Sequence, residues 1–251
     1  MMEFWTPETR LPKNLPGVPI FGPVHLAWLF PVLAFCVAAV FLFRRAKPPN
    51  RLRTLRLAGA AMPILIVARL FLLGLTNGFD PAWSLPLQLC DVMAFVECWA
   101  VFRKGWLARE LSWCCGLPGA LCALITPGET ALPFWNIFYL IFVALHTLLF
   151  LVPLLLSAEG VQPAARRLPA CFLFLLGLAG VDAICNAILH GNYLFLRVGP
   201  PGSILAVLQK WAGPFYPLTM AALVWCVWGI LYGGLAVYHK LRGRRCKKRE
   251  I

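Results

Sequence analysis

Apolar residues run along this chain in long blocks separated by short polar connections. A helix needs about 20 such residues to cross the hydrocarbon core of a bilayer. Seven segments meet that length, near residues 23–43, 55–76, 85–102, 107–125, 134–156, 169–190 and 215–238. The expected fold is all-α: a polytopic membrane protein with seven transmembrane helices. Trp5, Trp83, Trp106, Trp135 and Trp211 fall near the expected helix ends, where an aromatic belt sits. The longest connection, 191–214, holds Gly191, Gly199, Pro200, Pro201, Gly202, Gly213 and Pro214. Such a segment suits a re-entrant or interfacial cap, because irregular backbone at membrane depth has to be buried in protein.

Composition agrees with the pattern. Hydrophobic residues make up 61% of the 251 and charged residues only 13%, about half the usual charged share of a soluble domain. The mean hydropathy is +0.77. Residues 1–22 contain Glu3, Glu8, Arg10 and Lys13 but no apolar core of a signal peptide. Three parts are expected: an extracytoplasmic segment 1–22, a seven-helix domain 23–238, and a basic cytoplasmic tail 239–251. Ten cysteines occur, mostly inside apolar runs, where cysteine is a small packing residue. Their spacing suggests neither a disulfide framework nor a metal site.

The net charge of +13 would suggest nucleic acid if it were clustered on a soluble face. Its distribution gives a different reading. Eighteen basic residues lie in alternate connections and the tail, among them Arg44, Arg45, Lys47, Arg51, Arg53, Arg56, Arg103, Lys104, Arg109, Lys248 and Arg249. The opposite side carries only Arg10, Lys13, Arg197 and Lys210. This asymmetry places the N-terminus outside and the C-terminus in the cytoplasm. The tail then meets anionic lipid, and nucleic acid is not expected as a partner.

The candidate chemistry lies in the few polar residues inside the spans. These are Arg69, then Gln88, Cys90, Asp91 and Glu97, then His146, then Asp182, Asn186 and His190. Ionisable groups at membrane depth are costly and default to a functional hypothesis. A rise of about 1.5 Å per residue puts Arg69 and Asp182 roughly 12 Å below the outer face, Cys90 roughly 8 Å and His146 roughly 15–18 Å. Asp182, Asn186 and His190 are spaced by four and would share a helix face. Cys90 and Asp91, being adjacent, point about 100° apart. Plain structural readings stand beside these. Arg69 and Asp182 can form a buried ion pair, Glu97 can reach Arg103, and Gln88, Asn186 and His146 can be hydrogen-bonding struts between helices.

Several short motifs carry a resemblance. The run Leu85-Pro86-Leu87-Gln88-Leu89-Cys90-Asp91 resembles the signature of the YwaF family of bacterial seven-helix membrane proteins. In order along the chain, Ile125-Thr126-Pro127, His146, Asn186, Gly191-Asn192-Tyr193-Leu194 and Gly213-Pro214-Phe215-Tyr216 match further parts of that pattern. The match covers roughly residues 25–240. Two departures stand out: Gln88 occupies a position that is commonly His, and the last aromatic pair is usually centred on Trp. The family is similar to a eukaryotic transmembrane acyltransferase that remodels ether phospholipids with one membrane Cys and one membrane His.

The resemblance implies a phospholipid acyltransferase, or acyl hydrolase, in a bacterial plasma membrane. It implies Cys90 as nucleophile and His146 as base, with no metal and no cofactor, and membrane phospholipids as partners. Arg69, Gln88, Asp91, Asp182, Asn186, Asn192 and Tyr193 are the expected supporting or substrate-binding residues. Asp182 or Asp91 would orient the imidazole, and Arg69, Gln88 or Asn186 would hold an oxyanion or a lipid phosphate. The alternatives are a transporter or channel using Arg69, Asp91 and Asp182, and a non-catalytic assembly or sensor protein.

Overall fold

The computed structural model describes residues 2–12, 15, 17–103, 105–128 and 131–247. Lys13, Lys104, Lys248 and Arg249, counted above in the charge asymmetry, lie outside the described residues. The described residues form helices and connections, with no strand among them.

The helices are α1 (Pro23–Arg45), α2 (Pro48–Leu75), α3 (Leu89–Arg103), α4 (Trp106–Leu111), α5 (Leu117–Ile125), α6 (Ile137–Ala158), α7 (Leu168–Leu189), α8 (Ile204–Ala212) and α9 (Tyr216–Lys247). A π turn, Ser112–Gly116, joins α4 to α5. Each expected apolar segment therefore contains a helix. Five helical stretches among the described residues are long and apolar enough to cross a membrane: Pro23–Arg45, Pro48–Leu75, Ile137–Ala158, Ala165–Leu189 and Ile204–Tyr238. The 15-residue α3 falls short of that length, and the stretch from Trp106 to Ile125 is divided by its π turn into α4 and α5, each too short alone.

Local sequence explains the boundaries. Prolines open α1, α2 and α7, where a missing N–H costs nothing. The α1–α2 corner is closed by Arg51, which donates from Nε to Ala46 O at 2.9 Å and from Nη2 to Arg44 O at 2.8 Å. Those bonds satisfy carbonyls that a helix end leaves open. Arg51, Arg53 and Arg56, expected in a loop, thus stand on the first turns of α2. Asn136 caps α6 by accepting from Phe138 N at 2.9 Å. Its Nδ2 donates to Glu3 O and Thr6 O, both at 2.8 Å, and so ties down the N-terminal segment.

The core is built around α6, half of which is buried inside the protein, against roughly a fifth for α1 and α2. Helices α2, α3 and α6 pack on one another, and α1 and α5 pack on α6. The outer surfaces of α1, α2, α7 and α9 expose Phe30, Val37, Ile64, Ile184 and Ile230. That much apolar surface requires a nonpolar solvent.

The π turn has a chemical cause. Cys114 O would accept from residue 118 in an α-helix, but Pro118 has no N–H to give. Trp228 Nε1, from α9, donates to Cys114 O instead at 2.8 Å. Glu97 does not reach Arg103. It is fully buried over the π turn, where a Cβ on Gly116 would collide with its Oε1. Arg103 lies over the Trp99 ring. Glu110 closes this end of the bundle by accepting from Ala164 N at 2.9 Å, Arg167 Nη1 at 3.1 Å and the Tyr232 hydroxyl.

Candidate functional site

Cys90 is the second residue of α3, because the helix begins at Leu89 rather than near 85. The preceding Leu85-Pro86-Leu87-Gln88 forms a turn, with Leu87 N donating to Leu85 O at 2.8 Å. The thiol therefore sits at the helix mouth instead of five residues down the helix. Val92 N is taken by Gln88 O at 3.0 Å; the half-buried Cys90 lies in the first turn, at the positive end of α3, where backbone amides lack acceptors within their own helix.

Asp91, one residue on, is buried and accepts from Arg69 Nη2 at 2.8 Å. This ion pair joins α2 to α3. It replaces the expected Arg69–Asp182 pairing. Asp182 is fully buried on α7, and neither of its carboxylate oxygens has a hydrogen-bond partner among the described residues.

His146 lies on the buried face of α6. Its Nδ1 is 2.8 Å from Phe142 O, one turn back. A carbonyl can only accept, so Nδ1 carries the hydrogen and Nε2 keeps its lone pair. The Phe142 ring lies 4.2 Å from the imidazole between centroids and helps to hold its plane. A backbone carbonyl therefore orients the ring, in place of the carboxylate of Asp91 or Asp182 expected from sequence. Among the described residues no hydrogen bond joins Cys90 to His146. Their helices pack directly, and the Arg69 guanidinium lies within electrostatic range of both side chains.

The remaining expected residues build a cap over the α3 mouth. Asn186 Nδ2 donates to Tyr193 O at 3.0 Å, and Tyr193 N donates to Asn186 Oδ1 at 2.6 Å. The buried Tyr193 hydroxyl donates to Pro81 O at 2.5 Å and accepts from Leu85 N at 3.0 Å. Asn192 holds the far side through Val198 O at 2.7 Å and the amides of Arg197 and Val198. Gln88 Oε1 accepts from Leu194 N at 3.0 Å. Asn186 thus spends its oxygen and one of its two amide hydrogens on Tyr193, whereas Gln88, held by its oxygen, still has both hydrogens of Nε2 to offer.

The cap is built at some conformational cost. His190, Leu194 and Phe195 have φ of 56°, 54° and 53°, a left-handed region that side chains disfavour. His190 ends α7 there and is exposed, so it leaves the face shared by Asp182 and Asn186. Gly191 has to be glycine, since a Cβ would come within 2.5 Å of Ala82 O. Sequence reading had no signal for the Phe142 carbonyl or for the first-turn amides, which are backbone groups.

The fold and its apolar surface define a multi-pass α-helical membrane protein with a polar cluster under a tethered cap. The chain belongs to the TMEM164 family, whose family model matches residues 20–232. No curated protein and no solved structure matches it.

Proposed function

We propose that this protein is an integral membrane lipid acyltransferase that uses Cys90 as nucleophile and His146 as base. The observation that carries the reading is the His146 tautomer. With Nδ1–H given to Phe142 O, Nε2 is the basic nitrogen, and it belongs to a helix packed against the one that bears the thiol. A neutral base and a thiol on two packed helices are the parts that nucleophilic acyl transfer would bring together.

The chemistry runs in two halves. Nε2 of His146 takes the Cys90 proton as Sγ attacks the ester carbonyl of a phospholipid. Collapse of the tetrahedral oxyanion breaks the ester C–O bond, and the departing alkoxide takes the proton from His146. The products are a lysophospholipid and a Cys90 thioester. In the second half, His146 removes the proton from an acceptor hydroxyl, whose oxygen attacks the thioester. The C–S bond breaks, and the Cys90 thiolate regains its proton from the imidazolium. A water acceptor gives the hydrolase reaction and a free fatty acid.

First-turn amides of α3 and Nε2 of Gln88 are the donors suited to the oxyanion, at positions where charge develops only in the transition state. Arg69, already paired with Asp91 through Nη2, supplies the remaining positive charge toward a lipid phosphate. Asn186, Asn192 and Tyr193 position the cap.

The orientation belongs to the same reading. We assign seven crossings, with α3 and the α4–α5 stretch as the two short ones, residues 1–22 outside and 239–251 in the cytoplasm. The charge asymmetry supports it. The α3 mouth then opens to the extracytoplasmic leaflet of a cell membrane, and the YwaF resemblance points to a bacterial one.

Labelled phospholipid given to the purified protein tests the nucleophile. A hydroxylamine-sensitive acyl adduct is expected, absent in Cys90→Ala. An adduct that persists in that variant removes Cys90 from the role. One observation favours a second reading as proton-coupled transport: Glu97 and Asp182 are fully buried without counter-charges among the described residues. Proton-driven uptake into proteoliposomes that survives Cys90→Ala and fails in Asp182→Asn would favour it.

A further inference from the structure

The outward face of α2 carries a surface that the acyl-transfer site does not use. At its N-terminal end a groove of about 390 Å3 is lined by Arg53, Arg56, Leu57, Ala60 and, from α3, Phe102. Farther along the same helix a wholly apolar groove of about 350 Å3 is lined by Pro63, Ile64, Val67 and Ala68. Both grooves are shallow and open on their outer side, a shape for a chain lying along the helix and not for an enclosed ligand. Positions 53, 56, 60, 63 and 67 advance by three and four, so the two grooves lie on one stripe of the helix. From Arg53 to Val67 is a run of about 21 Å, longer than the roughly 15 Å depth of one leaflet's hydrocarbon.

The two arginines are unmatched. Arg51, Arg69 and Arg167 each face a carboxylate. Among the described residues neither Arg53 nor Arg56 has an ion-pair or hydrogen-bond partner, and both are exposed. A pair of free guanidiniums above a long apolar track has the polarity of one lipid: an anionic head and an acyl tail. Arginine suits a phosphate through its fork of donors.

We propose that this face of α2 seats an anionic phospholipid. Its phosphate lies between Arg53 and Arg56, and one acyl chain runs past Leu57 and Ala60 toward Val67. The lipid belongs to the leaflet at the N-terminal end of α2, which is the cytoplasmic leaflet in the orientation given above. It is distinct from the substrate of Cys90, which enters from the other end of the bundle. Only the leaflet rests on that orientation; the seat itself does not.

Lipid retention by the purified full chain tests it, with nanodiscs made from equal parts phosphatidylglycerol and phosphatidylcholine. Wild type should retain the anionic lipid over the neutral one by at least about fivefold, the effect of a single interfacial basic residue. Arg53→Gln/Arg56→Gln should bring the ratio near one, while Arg44→Gln/Arg45→Gln, outside the groove, should leave it unchanged. Ala60→Trp keeps both charges but fills the track, and should reduce retention of both lipids; it carries the test if the double variant does not fold. No preference in wild type, equal loss in both double variants, or full retention in Ala60→Trp overturns the proposal. Displacement of the lipid by inorganic phosphate also overturns it, since that marks an anion site without an acyl seat. Acyl labelling of Cys90 should be unchanged in every variant, which separates this result from the catalytic reading.

Discussion

Arg69 Nη2 donates to Asp91 Oδ2 at 2.8 Å, and this ion pair crosses from α2 to α3 beside the Cys90 thiol at the α3 mouth. Asp91 is nearly inaccessible, with 3% of its side chain exposed against 21% for Arg69. The pair is therefore a buried link whose loss strands a charge.

Removing one partner should cost more than removing both. Asp91→Ala leaves the half-buried guanidinium without a counter-charge and should destabilise the protein by about 2–3 kcal/mol, whereas Arg69→Met/Asp91→Leu should lie near wild type. Thermal unfolding in detergent measures both. A double variant as unstable as Asp91→Ala would assign the effect to packing and not to the stranded charge.

One hydroxyl ties the cap to the turn before α3. Tyr193→Phe loses the bonds to Pro81 O and Leu85 N but keeps the ring. Losing these two part-buried hydrogen bonds should cost about 1–2 kcal/mol. Amide hydrogen exchange should speed up in residues 81–88 and 190–199 and stay unchanged in α6. Uniform acceleration across all helices would mean that Tyr193 supports the bundle as a whole.

Trp228 compensates for a proline. Trp228→Phe leaves Cys114 O without its donor and should destabilise by about 1–3 kcal/mol. Restoring a donor at residue 118 offers the complementary check: Pro118→Ala in the Trp228→Phe background should recover part of the loss. No recovery would mean that the π turn has another cause.

His146→Ala should lower the rate of Cys90 acylation by about 10²–10⁴, the usual contribution of a positioned acid–base. His146→Asn is a sharper variant, since its amide can neither accept a proton at neutral pH nor relay one. The measurement is the single-turnover rate of labelling. Equal rates in wild type and His146→Asn would remove His146 from proton transfer.

Each expected apolar segment contains a helix, because a run of about twenty apolar residues with capping prolines has few other folds open to it. The first residue of α3 was less legible. Leu85-Pro86-Leu87 reads as helix by hydropathy, since proline is tolerated in a first turn. What made it a turn was Tyr193, more than a hundred residues away, accepting the Leu85 amide. Glu97 is a similar case: its sequence neighbour Arg103 offered a partner, but the π turn of a different helix provides the cavity that it fills.

Hydropathy alone therefore determined that this chain is an all-helical membrane protein, and the order of its polar residues marked out Arg69, Cys90, Asp91, His146 and Asp182 as the ones to explain. Partnership was decided by tertiary structure. Arg69 was given Asp91 and not Asp182, His146 was oriented by the backbone of Phe142, and Asn186 was committed to the Tyr193 turn. The reason is geometric. Burial follows from transfer free energies that each residue carries with it, whereas a hydrogen bond needs a donor and an acceptor within about 3 Å, a condition that depends on how helices from distant parts of the chain meet.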